Sequence, residues 1–395
     1  MTSISEVPGA VTGKCILVTG GAGFIGSHLV PRLLREGYSV RVLDNLSTQI
    51  HGQIPQGLNW LNKPGVDFIR GSVTSIETWK RAIENIDTVV HLAAETGTCQ
   101  SMYEIRRYFD VNIQGTVNLL ELLQNDKSVS SLRSLIVASS RAVYGEGCYK
   151  CAEHGVVLPA PRSWSRMSLS DFDLRCPECG AIAQMVPTEE TAPFKPLSIY
   201  GLTKQVQEQA ILMLAKTRGI NGFALRYQNV YGPGQSIINP YTGILSIFSN
   251  LAMQGQPIEV YEDGLESRDF IFVEDIAEAT CKAVNYADNF VGALNVGSGE
   301  AVTVNTVAHE INDYFGGLSD VIITGKFRLG DIRHNAASMK QTKAVLKFTT
   351  SVTFKDGLHR FLAWVETQPV EDRATYQRSV AELQDRGLMG TGRDS

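Results

Sequence analysis

The stretch Cys15–Leu29, CILVTGGAGFIGSHL, decides the fold of this chain. An apolar, β-branched run is followed by a glycine turn and then by residues with helical spacing. Gly20, Gly23 and Gly26 stand at G-x-x-G-x-x-G spacing, which lets the turn tighten and lets the backbone approach a pyrophosphate at the N-terminus of the helix. The stretch predicts the first strand, turn and helix of a dinucleotide-binding α/β domain.

An acidic residue at the end of the next predicted strand indicates which dinucleotide is bound. Asp44 ends SVRVLD, 18 residues after Gly26. That offset is close to the roughly 20 residues at which a carboxylate bonds the adenosine ribose hydroxyls. A carboxylate there repels a 2′-phosphate, so we expect NAD rather than NADP. The alternative is a solvated aspartate at a strand end.

Strand and helix continue to alternate after this point. The apolar runs VDFIRG, TVVHLAA and LIVASS follow as strands, with helical patterns such as SIETWKRAIENI between them. Such alternation gives βαβ units, and therefore a parallel sheet with helices on both faces. The predicted fold class is α/β, with a Rossmann-type doubly wound parallel sheet.

Composition excludes several classes of protein. The 395 residues carry 36 Lys+Arg and 41 Asp+Glu, and 43% of them are hydrophobic, which excludes a disordered chain. The net charge of −5 gives no electrostatic reason to bind nucleic acid. No uncharged apolar run reaches the roughly 18 residues of a bilayer span, and the first residues do not resemble a secretory signal. We expect a cytoplasmic protein that binds neither nucleic acid nor a membrane.

Four of the seven cysteines form two C-x-x-C pairs in a stretch with little periodicity, at Cys148, Cys151, Cys176 and Cys179. Each C-x-x-C turn can point two thiolates at one tetrahedral ion, and four thiolates leave no open coordination position. The pattern predicts a structural Zn²⁺ in a zinc-ribbon-like insertion, residues 148–187. The alternative is four reduced cysteines in a loop, and we expect His154 to be a surface residue rather than a ligand.

Together these motifs identify a family. The sequence resembles the extended short-chain dehydrogenase/reductases, and among them the NAD-dependent nucleotide-sugar epimerases and dehydratases. The stretches that carry the resemblance are VTGGAGFIGSHL, DNLS, VVHLAA, VNIQGTVNLLE, ASSRAVYG, YGLTK, LRYQNVYGPGQ, SRDFIFVEDIA and LNVGSG, in family order from about residue 14 to 365. Within the family, the chain resembles the nucleoside-diphosphate L-rhamnose 4-epimerases. This resemblance is carried by AAETGTCQSMYEIRRYFDVN, the cysteine insert and GDIRH.

The resemblance implies a two-part molecule. The NAD-binding domain would span 14–147, continued by about 188–230 and 270–298. The smaller, discontinuous substrate domain would span 231–269 and 299–365, followed by a tail at 366–395. The residues expected to contact NAD are Gly20, Gly23, Phe24, Ile25, Gly26, Asp44, Asn45, Ser72, Val73, Leu92, Ala93, Ala94, Tyr200 and Lys204. Ser72 stands where the family usually has an aspartate that bonds the adenine.

Tyr200 and Lys204, at i and i+4 of a predicted helix, form the expected reaction centre. A phenol titrates near 10, so a neighbouring ammonium and the positive charge of NAD⁺ must lower its pKa before it can act as a base. Tyr200 then accepts the proton of a sugar hydroxyl, while Lys204 also bonds the nicotinamide ribose. The resemblance adds Ser140 as the third catalytic residue, which bonds the reacting hydroxyl, with Ser139 as the alternative.

The residues after Ser140 bear on the reaction type. The family's 4,6-dehydratases carry an Asp-Glu pair directly after this position, and its decarboxylases carry a glutamate two residues on. Arg141 and Ala142 stand there in this chain, so no carboxylate is available for elimination. The reaction type that remains is oxidation of the sugar followed by its re-reduction. We therefore expect a 4-epimerase that passes through a 4-keto sugar, with dTDP- or GDP-linked L-rhamnose as the suggested substrate.

The resemblance also implies contacts with a nucleotide diphosphate sugar. Asn229 and Arg268 would hold the diphosphate, the guanidinium by paired hydrogen bonds to phosphate oxygens. The expected substrate contacts are, in full, Glu95, Thr98, Ser140, Arg141, Tyr144, Asn229, Arg268 and Arg333. Gln228 stands where the family often has an aromatic residue, and Asn112 is expected to be architectural.

Other functions are possible at this point. A nucleotide-sugar 4-keto reductase or an unusual dehydratase would use the same reaction centre. A chain of a different class, an NAD-binding sensor or scaffold, could keep the fold without turnover. The presence of Ser140, Tyr200 and Lys204 together argues against the sensor. By analogy with the family we expect a homodimer.

Overall fold

The computed structural model describes residues 13–52, 57–126, 131–237, 243–369 and 373–392. Its strands are β1 Cys15–Thr19, β2 Ser39–Asp44, β3 Val66–Arg70, β4 Thr88–His91, β5 Ser134–Ser140, β6 Tyr149–Cys151, β7 Gly155–Val157, β8 Gln184–Met185, β9 Asn221–Tyr227, β10 Asn229–Tyr231, β11 Ile258–Val260, β12 Ser267–Phe272, β13 Val291–Val296, β14 Ala301–Thr303, β15 Val321–Ile323, β16 Lys326–Arg328 and β17 Met389–Thr391. Seven strands form one parallel sheet in the order β13-β9-β5-β4-β1-β2-β3, which confirms the predicted fold class.

Helices cover both faces of this sheet. The α-helices of the described residues, on this sheet and elsewhere in the molecule, are α1 Phe24–Arg35, α2 Thr48–His51, α3 Ile76–Ala82, α4 Thr98–Ser101, α5 Ile105–Tyr108, α6 Gly115–Asn125, α7 Trp164–Met167, α8 Ile199–Arg218, α9 Ile244–Met253, α10 Val273–Val284, α11 Val304–Tyr314, α12 Lys340–Leu346, α13 Phe354–Val365 and α14 Arg373–Asp385. A 3₁₀ turn at Arg141–Tyr144 follows β5, and a π-helical turn at Phe109–Gln114 precedes α6.

The central strands are buried on both faces because alternate side chains enter different cores. Ile16 and Val18 pack with residues of α1 and α10 in one core. Leu17 packs with residues of α3, α6 and α8 in the other. The continuous apolar character of these runs in the sequence follows from this two-sided burial.

A third core belongs to the second half of the chain. It joins α9, α11 and α13 to β10, β11 and β12. Nearly all of its residues lie in the segments expected for the substrate domain. The exception is β12, which pairs with β10 and β14 in a separate three-stranded sheet. At the start of the segment 270–298, Phe270 and Phe272 therefore pack in this third core, whereas Ile271 packs in the core that holds Ile16 and Val18.

Two further segments complete the molecule. The insertion forms the antiparallel sheet β7-β6-β8 over a small core of its own. The predicted tail is described over 366–369 and 373–392, where it forms α14 and β17, and β17 pairs with β16. Over the parts of the chain that the structure describes, no helix is both long enough and apolar enough to cross a membrane.

Candidate active site

Two cavities meet where β5 ends. The glycine-loop cavity is bordered by the turn Gly20–Gly26, and the arginine cavity by Arg141, Arg268 and Arg328. Each has a volume of ≈ 320 Å³, within the range of small-molecule sites. Both are lined by Ser140, Gln228, Val230 and Gln235. A ligand in one cavity can therefore touch a ligand in the other.

The glycine turn leaves no room for side chains. Gly20 has φ +65°, and a Cβ on it would lie 2.8 Å from the backbone of Ala93. A Cβ on Gly26 would lie 2.3 Å from the carbonyl oxygen of Gly21. The backbone is thus packed closely beneath the N-terminus of α1, whose free N–H groups and positive dipole end attract an anion.

Asp44 is held at the rim of the glycine-loop cavity by backbone donors. Its Oδ2 accepts from the N–H of Ala22 (3.1 Å) and its Oδ1 from the N–H of Leu46 (2.8 Å). His51 lies 3.8 Å from Oδ1, and burial lowers the pKa of that imidazole. The carboxylate is therefore fixed in place as an acceptor at the end of β2.

The structure brings all the residues expected to contact NAD to this one cavity. Those lining it are Gly20, Gly23, Phe24, Ile25, Gly26, Asp44, Asn45, Ser72, Val73, Leu92, Ala93, Ala94, Tyr200 and Lys204. Their contact with NAD stays a prediction. The cavity also includes Glu95, which was expected on the substrate side and which forms an ion pair with Arg107 (2.8 Å). Asn112 is architectural as expected, since its amide bonds both backbone polar groups of Glu95.

The first turn of α8 positions Tyr200. The Ser198 hydroxyl caps this helix by accepting from the N–H of Gly201 (3.1 Å), and the N–H of Tyr200 donates to Ser101 (3.0 Å). Gly201 packs against the turn that follows β5, because a Cβ on it would lie 2.6 Å from the carbonyl oxygen of Ala142. This close approach brings Tyr200 within hydrogen-bonding reach of Ser140.

Electrostatics at Tyr200 differ from the expectation. Burial raises the pKa of Tyr200, while the hydrogen bond from Ser140 and the charge of Arg141 lower it. Lys204 lies with its Nζ 6.0 Å from the centre of the Tyr200 ring and donates to the carbonyl of Ala138 (2.9 Å). Burial lowers the pKa of Lys204 to about 7. Arg141 is therefore a neighbouring positive charge that favours the phenolate, and the expected contribution of Lys204 stays a prediction.

The choice between Ser139 and Ser140 is clear from the geometry. The Ser139 hydroxyl donates to the buried carboxylate of Glu208 (2.6 Å), which also forms an ion pair with Arg226. Ser139 also lines the glycine-loop cavity, but of the two serines Ser140 alone lines both cavities. Ser140 is therefore the better placed of the two hydroxyls to reach a bound ligand.

The arginine cavity combines fixed cations with carboxylates. Arg141 donates through Nε to Oδ1 of Asn229 (3.0 Å), and burial lowers its pKa to about 10. Arg268 is buried and donates to Asp331 (2.8 Å). Burial, followed by repulsion from Glu262, raises the pKa of Glu266 to about 7. Guanidinium groups on one wall of a cavity suit an anionic ligand such as a diphosphate.

Five of the eight expected substrate residues line this cavity: Thr98, Ser140, Arg141, Asn229 and Arg268. The expectations for Tyr144 and Arg333 do not agree with the structure, because both side chains are committed to internal contacts. The Tyr144 hydroxyl donates to Asn295 (2.7 Å) and accepts from Arg226. The guanidinium of Arg333 is paired with Asp263 and Glu262.

Several lining residues were not predicted. They are Cys99, Gln235, Glu262, Glu266, Arg328, Asp331 and Leu383. Arg328 and Asp331 belong to KFRLGDIRH, the stretch from which Arg333 was chosen. The available signal in the sequence was the alternation of polar and apolar residues in β16, where Phe327 is buried and its two neighbours, one of them Arg328, are not. Leu383, near the end of the chain, had no local signal.

The insertion holds a cluster of four donor groups, and its composition corrects the expected ligand set. Ligand atoms of Cys151, His154, Cys176 and Cys179 all lie within 4.8 Å of one another. Cys148 is outside this cluster and lies beside Thr188, to which its N–H donates (3.1 Å). The reason is that β6 begins between the two cysteines. Positions three apart on a strand point to opposite faces, so Cys148 and Cys151 diverge.

The spacing of these donors fits a small tetrahedral ion. The sulfurs of Cys151 and Cys179 are 3.6 Å apart, and Nδ1 of His154 lies 3.7 Å and 3.5 Å from the sulfurs of Cys151 and Cys176. Zn²⁺ bonds of about 2.0–2.3 Å in a tetrahedron require donor separations of about 3.5–3.8 Å. Nε2 of His154 also lies 3.6 Å from Glu178, an arrangement common behind zinc-bound histidines.

The fold and the two joined cavities define a class, the Rossmann-type enzymes that act on a ligand beside a bound dinucleotide. The sequence profile of the NAD dependent epimerase/dehydratase family matches residues 16–162 and 176–297. The chain is also 34% identical over 357 residues to dTDP-L-rhamnose 4-epimerase of Burkholderia thailandensis, covering 90% of this chain and 96% of that one. This chain therefore belongs to the NAD dependent epimerase/dehydratase family.

Solved structures agree with this assignment. UDP-glucose 4-epimerase of Thermotoga maritima, in complex with UDP-glucose, superposes with a TM-score of 0.71 at 27% identity, covering 89% of this chain and 99% of that one. UDP-glucose 4-epimerase of Thermus thermophilus, in complex with NAD, gives a TM-score of 0.69 at 28% identity, covering 90% and 100%. The expected family, fold class and enzymatic nature are confirmed.

Proposed function

We propose that this enzyme inverts C4 of a nucleotide sugar through a transient 4-keto sugar, with dTDP-L-rhamnose as the substrate. One observation carries the proposal. Ser140 lines both cavities, Tyr200 lines the glycine-loop cavity within hydrogen-bonding reach of Ser140, and Arg141 and Ala142 provide no carboxylate beside them for elimination. The substrate is suggested by the relative from Burkholderia thailandensis, named dTDP-L-rhamnose 4-epimerase.

The cofactor in this proposal is NAD, bound in the glycine-loop cavity. The pyrophosphate would lie over the Gly20–Gly26 turn and the adenosine ribose beside Asp44, whose fixed carboxylate oxygens accept from hydroxyls. NAD⁺ supplies an acceptor for hydride from C4 and returns the hydride. The structure of the Thermus relative in complex with NAD supports this choice.

The residues of the chain supply the proton transfer. Tyr200, as phenolate, accepts the proton of the C4 hydroxyl and later returns it. Ser140 bonds the same oxygen, which keeps it aligned with Tyr200. Arg141 would stabilise the phenolate, and Lys204 would bond the cofactor ribose. Arg268 and Asn229 would hold the diphosphate in the arginine cavity while the 4-keto sugar turns.

The test is mass-resolved product analysis of the purified enzyme without added cofactor. The panel includes dTDP- and GDP-linked L-rhamnose, UDP-glucose and UDP-galactose. We expect a new chromatographic peak of unchanged mass from dTDP-L-rhamnose. A product lighter by one water would identify a dehydratase and overturn the assignment based on Arg141 and Ala142. A product formed only with added reduced cofactor would identify a reductase.

A Tyr200→Phe variant separates an enzyme from a sensor or scaffold. An epimerase loses its base, so turnover falls by at least about 10²-fold, the lower end of general acid–base contributions. NAD content stays that of the wild type, because the ring is kept. Identical product formation by the variant and the wild type would contradict the role of Tyr200.

We further infer that Cys151, His154, Cys176 and Cys179 bind a structural Zn²⁺. Four protein donors fill a tetrahedral ion and leave no position for substrate, so the metal has no direct chemical step. Metal content by mass spectrometry should be about one Zn²⁺ per chain. It should be retained in Cys148→Ser and lost in His154→Ala. Loss of zinc in Cys148→Ser with retention in His154→Ala would show that the four cysteines bind the metal instead.

The homodimer expected from the family stays a prediction. Leu202 and Met213 on α8 are exposed, Met213 by 70% of its surface. Exposed apolar residues along one helix are compatible with a contact between two copies of the chain.

A further inference from the structure

The insertion consists of two parts, and the donor cluster joins them. Cys151 and His154 precede residues 158–173, which we name the arm, and Cys176 and Cys179 follow it. A metal bound by these four residues therefore ties the two ends of the arm together. The arm becomes a closed loop whose base is fixed to the small core of β6, β7 and β8.

The arm reaches the wall of the arginine cavity through Arg162. The side chain of Arg162 is 1% exposed. Its Nη1 donates to Glu262 (2.6 Å), its Nη2 to the carbonyl of Asp331 (2.9 Å), and its Nε lies 3.5 Å from Glu146. Glu262 and Asp331 both line the cavity. One buried guanidinium of the insertion thus holds two elements of the substrate wall.

One of these elements, the loop 331–333, in turn holds Arg268. The guanidinium of Arg268 donates to Oδ1 of Asp331 (2.8 Å) and to the carbonyl of Arg333 (3.2 Å). The N–H of Arg333 donates to Glu146 (2.8 Å). The loop 331–333 therefore lies between Arg162 of the arm and Arg268 of the cavity. A shift of Arg162 would move the acceptors that orient Arg268.

Apolar contacts fasten the arm to the same wall. Met167 and Phe172 of the arm form a small core with Phe327 of β16, and Trp164 packs edge-on against Phe327 at 4.9 Å. Phe327 directly precedes Arg328, which lines the cavity. The arm is thus fixed to the cavity wall at the loop 331–333 and at β16.

We propose that the metal-binding insertion supports the substrate site. The metal closes the arm into a loop, and Arg162 on the arm is the positioning residue that orients Arg268 for a nucleoside diphosphate. This inference rests on the proposed nucleotide-sugar substrate. The metal has no direct part in the reaction, and Arg162 does not line the glycine-loop cavity. Loss of the metal therefore weakens binding of the diphosphate and leaves NAD in place.

The test compares binding of dTDP to the full-length enzyme, purified with its NAD, by isothermal titration calorimetry. UDP and GDP are titrated as well, and the tightest of the three serves for the variants. Cys179→Ser removes an exposed donor, and Arg162→Lys keeps the charge but cannot reach both partners in a fork. The matched controls are Cys148→Ser, outside the donor cluster, and Arg166→Lys, whose partners Asp171 and Asp173 lie within the arm.

We expect Cys179→Ser to lose its metal and to bind the diphosphate at least about tenfold more weakly, with NAD content unchanged. Arg162→Lys should keep the metal and show a similar loss, and the two controls should match the wild type. Wild-type affinity in a metal-free Cys179→Ser protein, or in Arg162→Lys, would overturn the proposal. An equal loss of NAD and diphosphate binding would also overturn it, because it would show general unfolding.

The two proposals fail in different ways. A wild-type enzyme that binds none of dTDP, UDP and GDP would overturn the proposed function, and this inference with it. A wild-type enzyme that binds one of them, with no change in any insertion variant, would overturn this inference alone.

Discussion

At the scale of single residues, Arg141 gives the reaction centre its charge. The guanidinium stands directly after Ser140, donates to Asn229 and lowers the pKa of Tyr200 against the effect of burial. Lys204, in contrast, sits in surroundings that lower its own pKa to about 7. Arg141, directly after Ser140, is therefore our candidate for the residue that activates Tyr200.

Removal of this charge should be visible in the pH profile. Only the phenolate form of Tyr200 accepts a proton, so activity falls as the pH drops below the pKa of Tyr200. Arg141→Ala removes a cation that lowers this pKa. The acid limb of kcat should then move to higher pH. Arg141→Lys keeps a positive charge and should move it less, and an unchanged acid limb in Arg141→Ala would show that the phenolate is stabilised elsewhere.

Individual residues show where prediction from the sequence succeeded. The position of Gly20, Gly26 and Asp44 on one cavity could be predicted because it follows from backbone geometry and spacing within one βαβ unit. Tyr144 and Arg333 could not be assigned, because a buried aromatic or cation looks the same in the sequence whether it faces a cavity or an internal partner. Their partners, Asn295 and Asp263, are distant in the sequence.

At the scale of elements, the position of α8 sets the distance between Tyr200 and Ser140. The helix approaches the 3₁₀ turn Arg141–Tyr144 closely only because Gly201 has no side chain. The sequence predicted this helix and five strands of the central sheet, β1 to β5, from periodicity. It did not predict the contact between α8 and the turn after β5, which depends on packing between segments about 60 residues apart.

A Gly201→Ala substitution tests this contact. In an open helix the change would stabilise by about 1 kcal/mol through helix propensity. Here the Cβ would meet the carbonyl oxygen of Ala142 at 2.6 Å, and overpacking of this kind costs about 1–3 kcal/mol. The helix should move outward. We expect kcat to fall by up to about 10²-fold, with NAD content retained.

The control for this variant is Gln209→Ala, on an exposed position of the same helix. It should keep the kcat of the wild type. A Gly201→Ala enzyme with unchanged kcat would show that the position of α8 does not limit the reaction.

At the scale of the whole molecule, the arginine cavity is assembled from segments that are far apart in the sequence. Leu383 of α14 closes one side, and β17 fastens this segment to β16. Glu382 of α14 accepts a hydrogen bond from Tyr103 (3.2 Å), which follows α4, the helix that carries Thr98. The polar composition of residues 366–395 predicted a tail, but Leu383 of this segment lines the arginine cavity.

Substitution of Leu383 should therefore affect the substrate and not the cofactor. Leu383→Ala removes an apolar wall from the arginine cavity, so KM for the nucleotide sugar should rise by about 10-fold or more, since a buried leucine contributes about 1.5–3 kcal/mol. NAD content should not change. Gln384→Ala, at the exposed neighbouring position, is the control, and an equal KM in both variants would exclude Leu383 from the substrate wall.

The junction of the two cavities has a consequence for how such an enzyme can diversify. Among the described residues, only Ser140, Gln228, Val230 and Gln235 line both cavities. Most of the remaining wall of the arginine cavity comes from residues after 228, while most of the glycine-loop cavity comes from residues before 141. New sugar preferences can therefore be acquired by changes after residue 228 alone. A directed-evolution library confined to those residues would leave Ser140, Tyr200 and Lys204 unchanged.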